Sequence, residues 1–196
     1  SNGTRVNDCF DLMKKLTQKC KEISPKTKFL FMTYFNIAFR KGVDEFCKRS
    51  KECGAYGLII PDMPVEEESY EGYLASCKKY DLNPIQVISP LTNKERLKKI
   101  AENASGFLYC VSRFGITGQS QKLNPELKSY LKAVKKVTDL PLAVGFGLSE
   151  KAHLATVWKE AEIAVIGSKI INLLNDGGLK AVEKFLIEIT KKPSSV

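Results

Sequence analysis

Six short apolar runs, each followed by a segment whose apolar residues recur with helical spacing, constrain this chain more than any other feature. The runs are KFLFMTY (28–34), GLIIP (57–61), PIQVIS (84–89), GFLYCV (106–111), PLAVG (141–145) and IAVI (163–166). They are largely continuous rather than alternating. A strand with one wet face alternates apolar and polar residues, whereas a strand covered on both faces has no reason to. The runs therefore predict a parallel sheet with helices outside it.

The predicted helices span residues 5–22, 44–53, 65–80, 93–103, 125–137 and 149–160, then 168–174 and 179–190. In the first, Val6, Phe10, Met13, Leu16 and Cys20 form one stripe. Gly54 stops the second. Glu66, Glu67 and Glu68 open the third, where carboxylates suit the helix dipole. Thr92, with Glu95 three residues on, reads as a cap for the fourth. Asn124 as cap and Pro125 at the first position open the fifth. The order is one helix and then six strand–helix units, with a fraying tail at 191–196.

An open doubly wound sheet and a (β/α)8 barrel both use such units. No G-x-G-x-x-G follows the first run; Thr33-Tyr34-Phe35-Asn36 stands there. Glycines instead gather after the last runs, where barrels bind phosphate. A barrel needs eight strands and typically about 250 residues. Six strands and a start on a helix imply that the first two strands of the barrel fall outside this sequence. The expected architecture is thus an α/β TIM (β/α)8 barrel. This chain supplies an initial helix plus strands 3–8, a single domain over residues 1–196 amounting to roughly three-quarters of the barrel.

Composition removes other classes. No apolar run approaches the roughly 20 residues that span a bilayer, and the polar start, SNGT, precedes no signal-type apolar segment. The net charge of +9 could serve a nucleic acid. However, the lysines are spread over nearly every helix among acidic residues, with no basic stripe bearing stacking aromatics. Neither a nucleic acid nor a membrane is an expected partner. Cys9, Cys20, Cys47, Cys53, Cys77 and Cys110 form no CxxC pair and read as reduced, small apolar residues. His153 reads as exposed filler, and Trp158 as a residue packed under its helix.

Three strand ends carry the chemistry. Gly118 closes the loop after the fourth run, Gly145-Phe146-Gly147 ends the fifth, and Gly167-Ser168 ends the sixth and starts a helix. Glycines let backbone N–H groups approach an anion, and a helix N-terminus adds a positive dipole. Each alone is an ordinary turn. Three in succession, at the barrel position for phosphate, favour an anion site.

The stretches MTYFN (32–36), IIPDMPVEE (59–67), SGFLYCVSRFGITG (105–118), LPLAVGFGLS (140–149) and IGSKII (166–171) carry a resemblance. In that order and spacing they resemble the tryptophan synthase α subunit family, which cleaves indole-3-glycerol phosphate to indole and glyceraldehyde 3-phosphate. The resemblance implies a substrate-phosphate site at Gly118, Gly145, Gly147, Gly167 and Ser168. It implies an indole pocket at Met32, Tyr34, Val87, Phe146 and Val165, with Tyr109 beside the catalytic acids. It gives Thr117 the role of bonding a catalytic aspartate on loop closure, and puts Asp62 on the side facing a β subunit. It further implies a cytoplasmic αββα heterotetramer, no cofactor on this chain, and pyridoxal phosphate (PLP) on the β subunit.

Such a cleavage needs a general acid and a general base. The resemblance implies a pair on the family's first two strands or the loop after the second, in segments with no counterpart here. Asp62 and Glu66 stand elsewhere in the pattern and are not substitutes. A free-standing lyase and a non-catalytic piece that binds phosphate or the β subunit are therefore the alternative readings.

Overall fold

In the computed structural model, residues 3–111, 125–145, 154 and 157–190 are described. The chain divides into two compact units, Ser1–Val87 with Lys98–Leu108, and Ile88–Leu97 with Tyr109–Val196.

The first unit opens with α1 (Val6–Ile23), followed by β1 (Leu30–Met32), α2 (Phe35–Lys41), α3 (Val43–Glu52) and β2 (Gly57–Ile59). A 3-10 turn (Val65–Glu67), α4 (Glu68–Glu71), α5 (Tyr73–Lys79) and β3 (Asn83–Ile88) come next. The helix α6 (Lys94–Glu102) leads to β4 (Leu108–Val111). In the second unit stand α7 (Pro125–Lys135), β5 (Leu142–Gly145), β6 (Ile163–Ala164) and α8 (Ser168–Thr190).

Strand order decides between the two expected architectures. The six strands are neighbours in the order β1-β2-β3-β4-β5-β6. A doubly wound sheet reverses its order at a switch point, whereas a barrel runs in sequence. Pairing is parallel from β1 to β2, from β2 to β3 and from β5 to β6. This is the (β/α)8 barrel class, shown among the described residues by an initial helix and six neighbouring strands, five of which are followed by a described helix.

The core of the first unit forms where Phe10 and Met13 of α1 meet the strands, while Leu16 of the same predicted stripe is 40% exposed. Phe10, Phe31 and Phe46 pack with ring centroids 5.2, 5.4 and 6.3 Å apart. Leu58, Tyr73, Cys77 and Cys47 are buried beside them. Each buried phenylalanine or leucine here contributes about 1.5–3 kcal/mol on leaving water. Strands β2 and β3 approach so closely at Gly57 that a Cβ there would strike the Asn83 carbonyl. In the second unit, Leu127, Leu131 and Val134 turn one face of α7 inward, and Leu142, Ala143 and Val144 are fully buried.

The structure departs from the sequence reading in four further places. First, α2 lies where no helix was expected, because its capping carboxylate comes from Asp62, far along the chain. Second, the helix predicted over 65–80 is broken at Gly72, whose φ of 62° is left-handed. Across that break, the Glu68 carboxylate accepts the Leu74 and Ala75 N–H groups at 2.6 and 2.8 Å, capping α5.

Third, the cap of α6 is Asn93, which accepts the Arg96 N–H at 2.9 Å. The Thr92 hydroxyl instead accepts the Ser89 N–H at 3.1 Å. Fourth, Trp158 is 54% exposed rather than packed under a helix. The two predicted final helices meet across a kink at Gly178 (φ 65°, ψ −164°), which divides α8. The six cysteines are free thiols, and Cys47, Cys53, Cys77 and Cys110 are buried. His153, most of the helix expected over 149–160 and the 191–196 tail lie outside the described residues.

Candidate functional site

The second unit contributes three strand ends. Tyr109 is on β4, half-buried between the fully buried Leu108 and Cys110. Burial raises its phenol pKa above the usual value. Gly145 ends β5, and a Cβ built there would lie 3.3 Å from the Tyr109 hydroxyl and 3.3 Å from the Val165 Cβ. The Val165 N–H donates to the Val144 carbonyl at 2.8 Å, extending the β5–β6 ladder. Tyr109, Gly145 and Val165 are thus brought together.

Two residues further on, the chain turns into α8. The Gly167 carbonyl accepts the Ile170 and Ile171 N–H groups at 2.9 and 3.3 Å, placing Gly167 at the start of the helix. A Cβ at Gly167 would meet nothing within 4 Å, and its φ is outside the left-handed range. Neither crowding nor backbone conformation requires glycine there. Gly167 and Ser168 are exposed. The first N–H groups of an α-helix have no partner within it, and they carry the positive end of its dipole. Such a corner suits an anion whose oxygens only accept hydrogen bonds.

In the first unit, Met32 ends β1 and is 61% exposed, and Tyr34 is 67% exposed at the start of α2. Asp62, in the turn after β2, accepts the Phe35 N–H at 2.8 Å. It supplies a cap that Tyr34 cannot provide, and it ties the β1–α2 turn to the end of β2. The Thr33 N–H donates to the Ile59 carbonyl at 3.1 Å, a second tie. Val87 is half-buried on β3 beside Gln86, which is 8% exposed.

Of the residues expected from sequence, Met32, Tyr34, Asp62 and Val87 therefore stand in the first unit, and Tyr109, Gly145, Val165, Gly167 and Ser168 in the second. Thr117, Gly118, Phe146 and Gly147 lie outside the described residues. The capping role of Asp62 was missed. Its one sequence signal is a carboxylate directly after a predicted strand, and that does not name the helix it caps.

Among the described residues, Asp44, Asp81 and Glu162 are the carboxylates whose pKa moves, and all three move down. A general acid at neutral pH needs the opposite shift. For Asp44 the main cause is its hydrogen bond from Lys79, and for Asp81 the one from Lys51. Burial pushes Glu162 up, but the Leu142 N–H and the Lys135 ammonium outweigh it. No group of histidine, cysteine and carboxylate side chains among the described residues is placed to hold a metal ion. Nor is any described helix long and apolar enough to cross a membrane.

The family model described as "Tryptophan synthase alpha chain" matches residues 1–193. The tryptophan synthase alpha chain of Desulfotalea psychrophila is 41% identical over 189 residues, covering 96% of this chain and 72% of its own length. That of Syntrophotalea carbinolica is 39% identical over 186 residues, covering 95% and 71%. Among solved structures, the tryptophan synthase complex from Pyrococcus furiosus superimposes with a TM-score of 0.81 at 26% identity, covering 96% of this chain and 72% of that one.

Proposed function

Since the chain belongs to the tryptophan synthase alpha chain family, we propose that its strand-end corner holds the phosphate of indole-3-glycerol phosphate. The reaction is the family's cleavage to indole and glyceraldehyde 3-phosphate in tryptophan biosynthesis. The observation that carries the reading is Gly167, a glycine that the protein's own packing does not require, at the start of α8. A bare backbone there leaves room for phosphate oxygens to reach the N–H groups that follow.

Each residue has a distinct task. Gly145 and Gly167 keep side chains away from the phosphate, and Ser168 adds a hydroxyl donor. Gly118 and Gly147 complete the backbone cradle. The family resemblance assigns Met32, Val87, Phe146 and Val165 to contact with the indole ring, and Tyr34 to the mouth of that pocket. Tyr109 borders the reacting carbons, and Thr117 orients a catalytic aspartate. The general acid and base correspond to no residue among these 196, so anchoring the phosphate is the part of the reaction assigned to this chain's own residues.

The enzyme is a lyase that passes indole to a PLP-bearing β subunit, and it needs no cofactor of its own. An αββα assembly in the cytoplasm completes the reading, with Asp62 on the side facing β. A titration series tests it. Indole-3-glycerol phosphate and glycerol 3-phosphate should compete for one site, and indole alone should bind much more weakly. Equal affinity for indole and its glycerol phosphate would remove the phosphate anchor from the account. Sedimentation with the β subunit should give the heterotetramer; two unaltered species would favour a free-standing lyase.

A further inference from the structure

We infer that the groove between the first turn of α1 and the last turn of α2 binds a small phosphate-class oxyanion. The groove is lined by Arg5, Val6, Asn7, Ile37, Arg40 and Lys41 and encloses about 280 Å³. Val6 and Ile37 give it a half-buried apolar floor, and the Arg5 and Arg40 side chains stand exposed at its edge.

Among the described residues, no carboxylate forms an ion pair with these charges. The ion pairs among those residues join Lys51 to Asp81, Lys79 to Asp44, Lys128 to Glu160 and Lys135 to Glu162. None reaches Arg5, Arg40, Lys41 or the neighbouring Arg49. Lys41 and Arg49 share a single neutral acceptor instead. The Asn7 amide oxygen accepts the Lys41 ammonium at 2.9 Å and the Arg49 guanidinium at 2.8 Å. Two cations are thus held together by an oxygen with no formal charge. The nearby Asp8 carboxylate is engaged by the Arg5 backbone N–H at 2.7 Å. The dipole of α1, which starts here, adds to this side-chain charge.

An oxyanion relieves this arrangement. A guanidinium offers paired donors that match two oxygens of a phosphate, and an ammonium supplies a compact charge beside them. Arg5 and Arg40 provide the first, and Lys41 provides the second. The groove shares no residue with the strand-end corner: every lining residue belongs to the first unit, whereas Gly145, Gly167 and Ser168 belong to the second.

The test is amide NMR on the whole chain titrated with inorganic pyrophosphate at constant ionic strength. Saturable shifts are expected at Arg5, Val6, Asn7, Arg40 and Lys41. Arg5→Gln with Arg40→Gln should weaken this binding at least about tenfold, since each removes a full charge from the groove. Arg5→Lys with Arg40→Lys, which keeps the charge, should retain most of it.

Shifts confined to Gly145, Gly167 and Ser168 would overturn the inference while leaving the substrate-phosphate reading intact. Linear, unsaturated shifts would reduce the groove to general screening and also overturn it. So would saturation by a polyglutamate peptide without saturation by pyrophosphate, which would mark an acidic protein surface as the ligand.

Discussion

A methyl group added to Gly145 would lie 3.3 Å from both the Tyr109 hydroxyl and the Val165 Cβ, whereas one added to Gly167 would touch nothing. The two glycines should therefore respond differently. Gly145→Ala forces its neighbours aside and should cost about 1–2 kcal/mol, read as a lower urea midpoint. Gly167→Ala should leave stability within about 0.5 kcal/mol, yet weaken glycerol 3-phosphate binding. A large stability loss at Gly167 would show that the glycine is structural. Asp62 makes a third case. Asp62→Ala strips the cap from α2 and should cost about 1 kcal/mol, while Asp62→Asn, which keeps an acceptor, should cost less. At this scale the sequence pointed to the glycines, because turns between strand and helix have few alternatives. It did not reveal the cap, because Asp62 and Phe35 are 27 residues apart and meet only through folding.

At the scale of elements, Glu162 fastens β5 to α7. One carboxylate oxygen accepts the Leu142 N–H at 2.9 Å, and the other meets the Lys135 ammonium at 2.9 Å. Its folded pKa lies below the ordinary glutamate value of 4.5. The charged form is thus favoured by folding. That stabilisation is complete above 4.5 and is lost as pH falls through the lowered folded value. Urea midpoints should therefore fall below pH 4.5 more steeply for the wild type than for Glu162→Gln. Identical acid limbs would show that the contact contributes nothing. Element type was legible wherever periodicity was long, as in α1 and α7. The break at Gly72 was not, because its cap depends on Glu68 folding over the turn onto Leu74 and Ala75. Nor was the exposure of Trp158, since an aromatic ring in a helical segment reads as core by default.

For the whole molecule, the strand sequence β1 to β6 without reversal carries the barrel class. The continuous apolar runs need cover on both faces, which calls for a parallel sheet with helices outside it; the choice of barrel over doubly wound sheet comes from the strand order. The parallel-sheet pattern was readable from the sequence; the strand-end glycines were legible as a motif, and their phosphate role is what the titration tests. The central claim is that the chain anchors a substrate phosphate at the start of α8. Calorimetric titration of glycerol 3-phosphate into the wild type and Gly167→Val tests it most directly. The account predicts saturable one-site binding to the wild type and, because a branched side chain would occupy the space beside the α8 N–H groups, affinity lower by at least about tenfold in the variant. Equal affinity in a folded Gly167→Val protein would contradict it.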